Sequence, residues 1–156
     1  FAPTGARQPA AMEPFALYAV SFFSYGLMNG LLGPCVPGLA AAVGVTPANL
    51  APVLFWRGLG SICGGFASSV VLERTADLHR DYARLCALWA LTLVILPWAT
   101  SQSVLAGVFF VGQACANASA AFAGAGITWR YAKQMGFQQN ASNSLYGLGA
   151  TLAPML

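Results

Sequence analysis

Apolar positions in this chain form long unbroken runs, with the polar positions gathered between them. No charged residue falls between Glu13 and Arg57, and none between Arg84 and Arg130. A helix needs roughly 20 apolar residues to cross about 30 Å of hydrocarbon, so each gap holds more than one crossing and turn signals must divide it. The first predicted span covers 14–37. Pro14 suits a first helical turn, and Gly33-Pro34-Cys35-Val36-Pro37 closes the span because two prolines remove helix donors. The second covers 47–72, with Thr46 as N-cap and Pro47 as first helical residue. The third covers 82–99 and the fourth 103–129, separated by the tight polar reversal Thr100-Ser101-Gln102-Ser103. Residues 144–156 read as the opening turns of a fifth. The predicted fold is therefore an all-α integral membrane bundle of four transmembrane helices plus the start of a fifth, over 14–156, behind an N-terminal extension 1–13.

Composition narrows the class further. Asp, Glu, Lys and Arg make up 7% of the 156 residues while 58% are hydrophobic; ordinary soluble domains are about 25% charged. A soluble enzyme, a nucleic-acid binder and a disordered chain are all disfavoured, and a net charge of +3 is too small and scattered for a nucleic-acid footprint. Charge does give an orientation. Arg7 precedes the first span, Arg74, Arg80 and Arg84 lie between the second and third, and Arg130 and Lys133 follow the fourth. Connections 38–48 and 99–102 carry no charge. By the positive-inside rule the N-terminus and the basic loops face the cytoplasm or its organellar equivalent, the stroma in a plastid.

Few residues offer chemistry. Arg57 lies inside the second span, where a charge marks either a substrate or ion contact or an arginine snorkelling to the interface or bonding carbonyls freed at Gly33–Pro37; no span supplies an acidic partner. Asn117 is a second intramembrane polar candidate. In the segment 73–84, Asp77 with Arg80 and Asp81 with Arg84 are spaced to meet on a helical turn, as a latch or as a solvated connector. His79, the single histidine, lies in that loop without clustered ligands and reads as a surface residue. Cys35, Cys63, Cys86 and Cys115 fall one per span and read as small hydrophobes rather than a disulfide or metal framework. Small residues give a packing pattern: Gly26 with Gly30, Gly60 with Gly64, and Gly112, Ala116, Ala120 and Gly124 at spacing four let helix backbones approach closely in lipid. The sequons at Asn117 and Asn140 lie in a span and on the basic side, where glycosylation is not expected. No Ser/His/Asp or Cys/His set, carboxylate pair or phosphate loop is present, and no enzyme is expected.

Gly30-Leu31-Leu32-Gly33-Pro34, then Trp56-Arg57-Gly58-Leu59-Gly60 with Gly64-Gly65, then Tyr146-Gly147-Leu148-Gly149-Ala150 with Ala153-Pro154, resemble the N-terminal half of the major facilitator superfamily. The branch is that of fucose permeases and sodium-dependent glucose transporters. Glu73-Arg74 stands where that superfamily carries an Asp-Arg pair. The resemblance implies a solute carrier, sugar-like in substrate. The departures are the replacement of the usual Gly-Arg-Arg/Lys turn by Thr75–Arg84 and a fourth helix offering only Asn117 and Ser119. Asn143 stands near the histidine that opens the fifth helix of the sugar-like branch. Such carriers rock two six-helix halves around a midplane site, which a chain with fewer than five spans does not do alone. Phe1-Ala2-Pro3, followed by an Ala/Pro-rich segment with Arg7, resembles the start of plastid-targeted proteins in algae with complex plastids.

Two functional expectations follow. One is a non-catalytic accessory subunit of a photosystem complex in a thylakoid membrane, partnered by other membrane subunits, lipids and pigments but not nucleic acid. It would have no intrinsic cofactor, with chlorophyll, carotenoid or lipid at its surface against Trp89, Trp98, Phe109 and Phe110. The other is the N-terminal part of a solute transporter. A light-harvesting protein is a third class, disfavoured because its intramembrane Glu/Arg chlorophyll motif is absent.

Overall fold

The computed structural model describes residues 13–155, and side chains from Phe15 onward. The Phe-Ala-Pro motif, Arg7 and Leu156 lie outside the described residues. Five α-helices follow one another: α1 (Glu13–Ala42), α2 (Ala51–Arg74), α3 (Leu78–Ile95), α4 (Gln102–Arg130) and α5 (Met135–Leu152). Short 3-10 turns at Pro47–Leu50, Leu96–Trp98, Ala132–Gln134 and Ala153–Met155 extend or join them. Four of the helices, with these turns, are long and apolar enough to cross a membrane: Phe15–Ala42, Pro47–Arg74, Leu78–Trp98 and Gln102–Arg130. In hydrocarbon every backbone group must be satisfied within the segment, so apolar runs of this length become helices. The chain is an all-α membrane protein.

α1 runs five residues beyond the predicted end at 37, straight through Pro34 and Pro37. The carbonyls that these prolines cannot pair, four residues earlier, belong to Gly30 and Gly33, whose backbones yield to the ring most readily. The helix stops instead at Gly44, the one described residue with positive φ (70°). Val45 N–H bonds the Ala40 carbonyl at 2.9 Å and Gly44 N–H the Ala41 carbonyl at 3.1 Å. This paired closure needs a left-handed residue, hence glycine. Two other boundaries are corrected: α3 begins at Leu78 rather than 82, and α5 begins at Met135 rather than 144. Its polar first half, Gln138 to Ser144, is no barrier to a helix at the membrane surface, where water satisfies what lipid does not. Two predicted turns carry real caps: Ser101 accepts from Val104 N–H at 3.3 Å and Asp77 from Arg80 N–H at 3.1 Å. Thr46 makes no side-chain cap bond before Pro47.

α4 is the hub. It packs along α2 and α3 and also touches α1 and α5, while α1 pairs along its length with α5. The apolar interior is split in two. At the end bearing the loop arginines, Tyr18, Tyr82, Phe122, Ala123 and Ile127 form one core. At the uncharged end, Ala40, Leu50, Val53, Ala99 and Leu105 form the other. Trp129 at the first end and Trp98 at the second are both largely exposed, where interfacial tryptophans sit.

Candidate functional site

Between the two cores, three helices each carry a polar pair one turn apart: Tyr25 and Asn29 on α1, Arg57 and Ser61 on α2, Gln113 and Asn117 on α4. Spacing of four puts both members of a pair on one face, and the three faces meet. Arg57 Nη2 donates to Asn29 Oδ1, and Asn29 Nδ2 donates to the Tyr25 carbonyl at 2.8 Å. The Tyr25 hydroxyl accepts from Gln113 Nε2 at 2.7 Å and donates to Asn117 Oδ1 at 3.2 Å. Asn117 Nδ2 donates to the Ser61 carbonyl at 2.8 Å. The result is one continuous network from α2 through α1 to α4 and back to α2.

Tyr25 is held from the remaining two helices as well. Its ring meets Trp89 of α3 edge-on at 6.0 Å and Tyr146 of α5 at 5.6 Å. α3, α4 and α5 therefore converge on this tyrosine of α1, and α2 is tied to it through Asn29 and Asn117. Beside it opens a cavity of about 240 Å³. Its polar wall is Tyr25, Asn29, Arg57 and Gln113, with Thr92 from α3; the rest is mainly leucines with Trp89 and Phe109. Cys35 stands on the same wall.

The electrostatics are one-sided. The chain has four acidic residues, Glu13, Glu73, Asp77 and Asp81, and all belong to the charged end. Arg57, half-buried in the middle layer, faces no carboxylate among the described residues. Among the described residues its one hydrogen bond goes to Asn29, not to the carbonyls of Gly33–Pro37. A guanidinium has five N–H donors, so most of its hydrogen-bonding capacity remains open to the cavity it lines.

Arg57 and Asn117, the two intramembrane polar candidates of the sequence, both belong to this layer, and Tyr25, Asn29 and Gln113 complete it. The signal was present in the sequence as three polar pairs at spacing four in otherwise apolar helices.

The small residues are divided among different neighbours. On α1, Gly26 lies against the Tyr146 backbone and Gly30 against Ala150 and Ala153; on α2, Gly60 and Gly64 lie against the backbone carbonyls of Phe110 and Ala114. Gly112 faces Thr92 of α3, whereas Gly124 has open space where a side chain would be. Ala116 is buried and, with Ala120, borders Ser21, Phe22 and Tyr25 of α1. The stripe 112–124 therefore does not serve one partner.

At the charged end, His79 is exposed, but it is more than a surface residue. Its Nδ1 lies 3.2 Å from the Tyr18 hydroxyl and the two rings stack at 6.1 Å. Tyr82 donates to Ser21 Oγ, joining α3 to α1. Asp81 pairs with Arg84 at 2.7 Å and accepts from Thr75. Asp77 caps α3 with its side chain and makes no ion pair with Arg80. The four cysteines are free thiols. Of the aromatics considered for pigment contact, Trp98 is exposed, Phe110 meets Trp56 edge-on, and Trp89 and Phe109 line the cavity.

The arrangement defines a membrane-embedded bundle with a polar layer and an adjoining cavity at mid-height. Set against family models, curated proteins and solved structures, the chain matches none.

Proposed function

We propose that this chain supplies the solute-binding layer of a membrane transporter and catalyses no covalent step. One observation carries the reading: the Arg57–Asn29–Tyr25–Gln113 network, tied to Asn117 through Tyr25, lines a cavity between the two apolar cores. Polar groups are costly at this depth and ordinarily mark a solute path. A bundle that only filled space between subunits would gain more from leucine at these positions. The resemblance of the glycine motifs to the first half of the major facilitator superfamily supports the same reading, since carriers of that kind bind solute near the midplane. Under this proposal the charged end, with the N-terminus, faces the cytoplasm or the stroma.

The second proposal is the accessory subunit of a photosystem complex in the thylakoid membrane. Its support is the exposed apolar surface, including Phe66, Trp98 and Phe137, which neighbouring subunits or pigments would cover as well as lipid does.

Proteoliposomes carrying the protein, expressed from its complete coding sequence, separate the two. Saturable uptake of at least one solute from a panel of hexoses, amino acids and mono- and dicarboxylates, lost in Tyr25→Phe/Gln113→Leu, is the expected result. No uptake, with stoichiometric recovery of the chain in isolated photosystem complexes, would replace the first proposal by the second.

A further inference from the structure

We infer that the cavity beside Arg57 takes a small monovalent anion with an apolar body, of which a monocarboxylate is the simplest case; this rests on the solute-binding reading above. The sign of the charge comes from Arg57. Among the described residues it is the only charged side chain between the two apolar cores, and Glu73, Asp77 and Asp81 lie at the charged end. A charge at this depth is stabilised by an opposite charge or by multiple hydrogen bonds, and among the described residues Arg57 has one bond, to a neutral amide. Its planar fork matches a carboxylate with two parallel bonds. The magnitude follows too: one cation balances one negative charge, and a dianion would leave the second uncompensated in an apolar space.

The rest of the ligand is read from the other walls. Tyr25 and Asn117 are already satisfied by each other, by Gln113 and by the Ser61 carbonyl, while leucines, Trp89 and Phe109 make up most of the remaining surface. A hexose, with hydroxyls on every face, would leave most of them unpaired here. The chemistry of the cavity therefore departs from the sugar-like substrate that the family resemblance implies. A volume of about 240 Å³ equals about eight water molecules at their liquid share, enough for a carboxylate on a ring or a short chain. A fatty acid offers the same head group, so the source of the carboxylate, soluble or lipid, is part of the test.

The full-length protein in nanodiscs is titrated at neutral pH with radiolabelled benzoate. Benzamide serves as the neutral isostere, and hexanoate, oleate and glucose as competitors. Saturable benzoate binding, at least tenfold weaker for benzamide and for Arg57→Gln, weakened less in Arg57→Lys, which keeps the charge but not the fork, unchanged in Arg74→Gln, and undisturbed by glucose, is expected. Benzoate should also slow the reaction of Cys35 with a maleimide in the unmutated protein, a readout that does not depend on any variant folding.

If benzamide or glucose binds as well as benzoate, and Arg57→Gln changes nothing, the anion is overturned while the solute reading stands. Competition by oleate with none by hexanoate places the carboxylate on a lipid and overturns the soluble solute. No binding of any probe overturns the inference, and the liposome uptake above then decides the broader reading separately.

Discussion

A single methyl group is enough to part α2 from α4. A Cβ on Gly60 or Gly64 would run into the backbone carbonyl of Phe110 or Ala114, and a carbonyl within a helix cannot rotate away as a side-chain tip does. Gly64→Val should therefore lower stability by about 1–3 kcal/mol through overpacking, measured as thermal unfolding in detergent. Gly65→Ala is the internal control, because its Cβ would meet only Asn117 Nδ2, at 3.8 Å, and should behave as the parent. Glycine pairs at spacing four were legible in the sequence because spacing alone reports a smooth face. What they touch was not, since the surface they approach is backbone, which Phe110 and Ala114 present as any residue would. Tyr25, Asn29 and Gln113 were passed over for a related reason. Each looks like an isolated tolerable polar residue until the pairing with its i+4 neighbour is considered on all three helices together.

Among the elements, the three that departed from expectation, α1, α3 and α5, did so at their ends. Proline is a poor stop signal when the residue four positions earlier is glycine, and α1 passes both Pro34 and Pro37 before Gly44 ends it. The start of α5 was obscured because hydropathy reports depth in the membrane, not helicity; Met135–Asn143 is helical and polar at once. The start of α3, which the apolar run alone puts at 82, is fixed four residues earlier by a local bond, the Asp77 side chain on Arg80 N–H. Asp77→Ala should cost about 1 kcal/mol of stability through loss of this cap, whereas Asp77→Asn, an equally good cap, should cost little. The same thermal measurement distinguishes them. The outcome also separates capping from an ion pair with Arg80, which Asp77→Asn would abolish.

For the molecule as a whole, charge placement and helix count agree on which residues share an end. With cysteines introduced one at a time at exposed positions of a cysteine-free protein, Ala76→Cys and Gly136→Cys should be labelled by an impermeant maleimide from the same side. Ala48→Cys should be labelled from the opposite side. Labelling of 76 and 136 from different sides would break the topology. This level of organisation was the most legible in the sequence, because runs of apolar residues and clusters of arginine are properties of composition. The division of the interior into two cores with a polar layer between them was not, because it depends on which faces of separate helices turn towards each other.

That division bears on how the bundle bends. Tightly packed interiors resist compression, so the cores around Tyr18 and Leu50 behave as stiff blocks, and compliance collects at the waist, where a cavity replaces packing. α1 crosses that waist at the place where Pro34 and Pro37 remove two of its own backbone bonds. The segment beyond Pro34, anchored by Ala40 in the uncharged-end core, is thus a lever whose fulcrum lies one turn from Asn29. Amide exchange should show it directly: Leu31–Val36 exchanging faster than Tyr18–Met28 on one side and Leu39–Val43 on the other, a soft joint between two protected blocks.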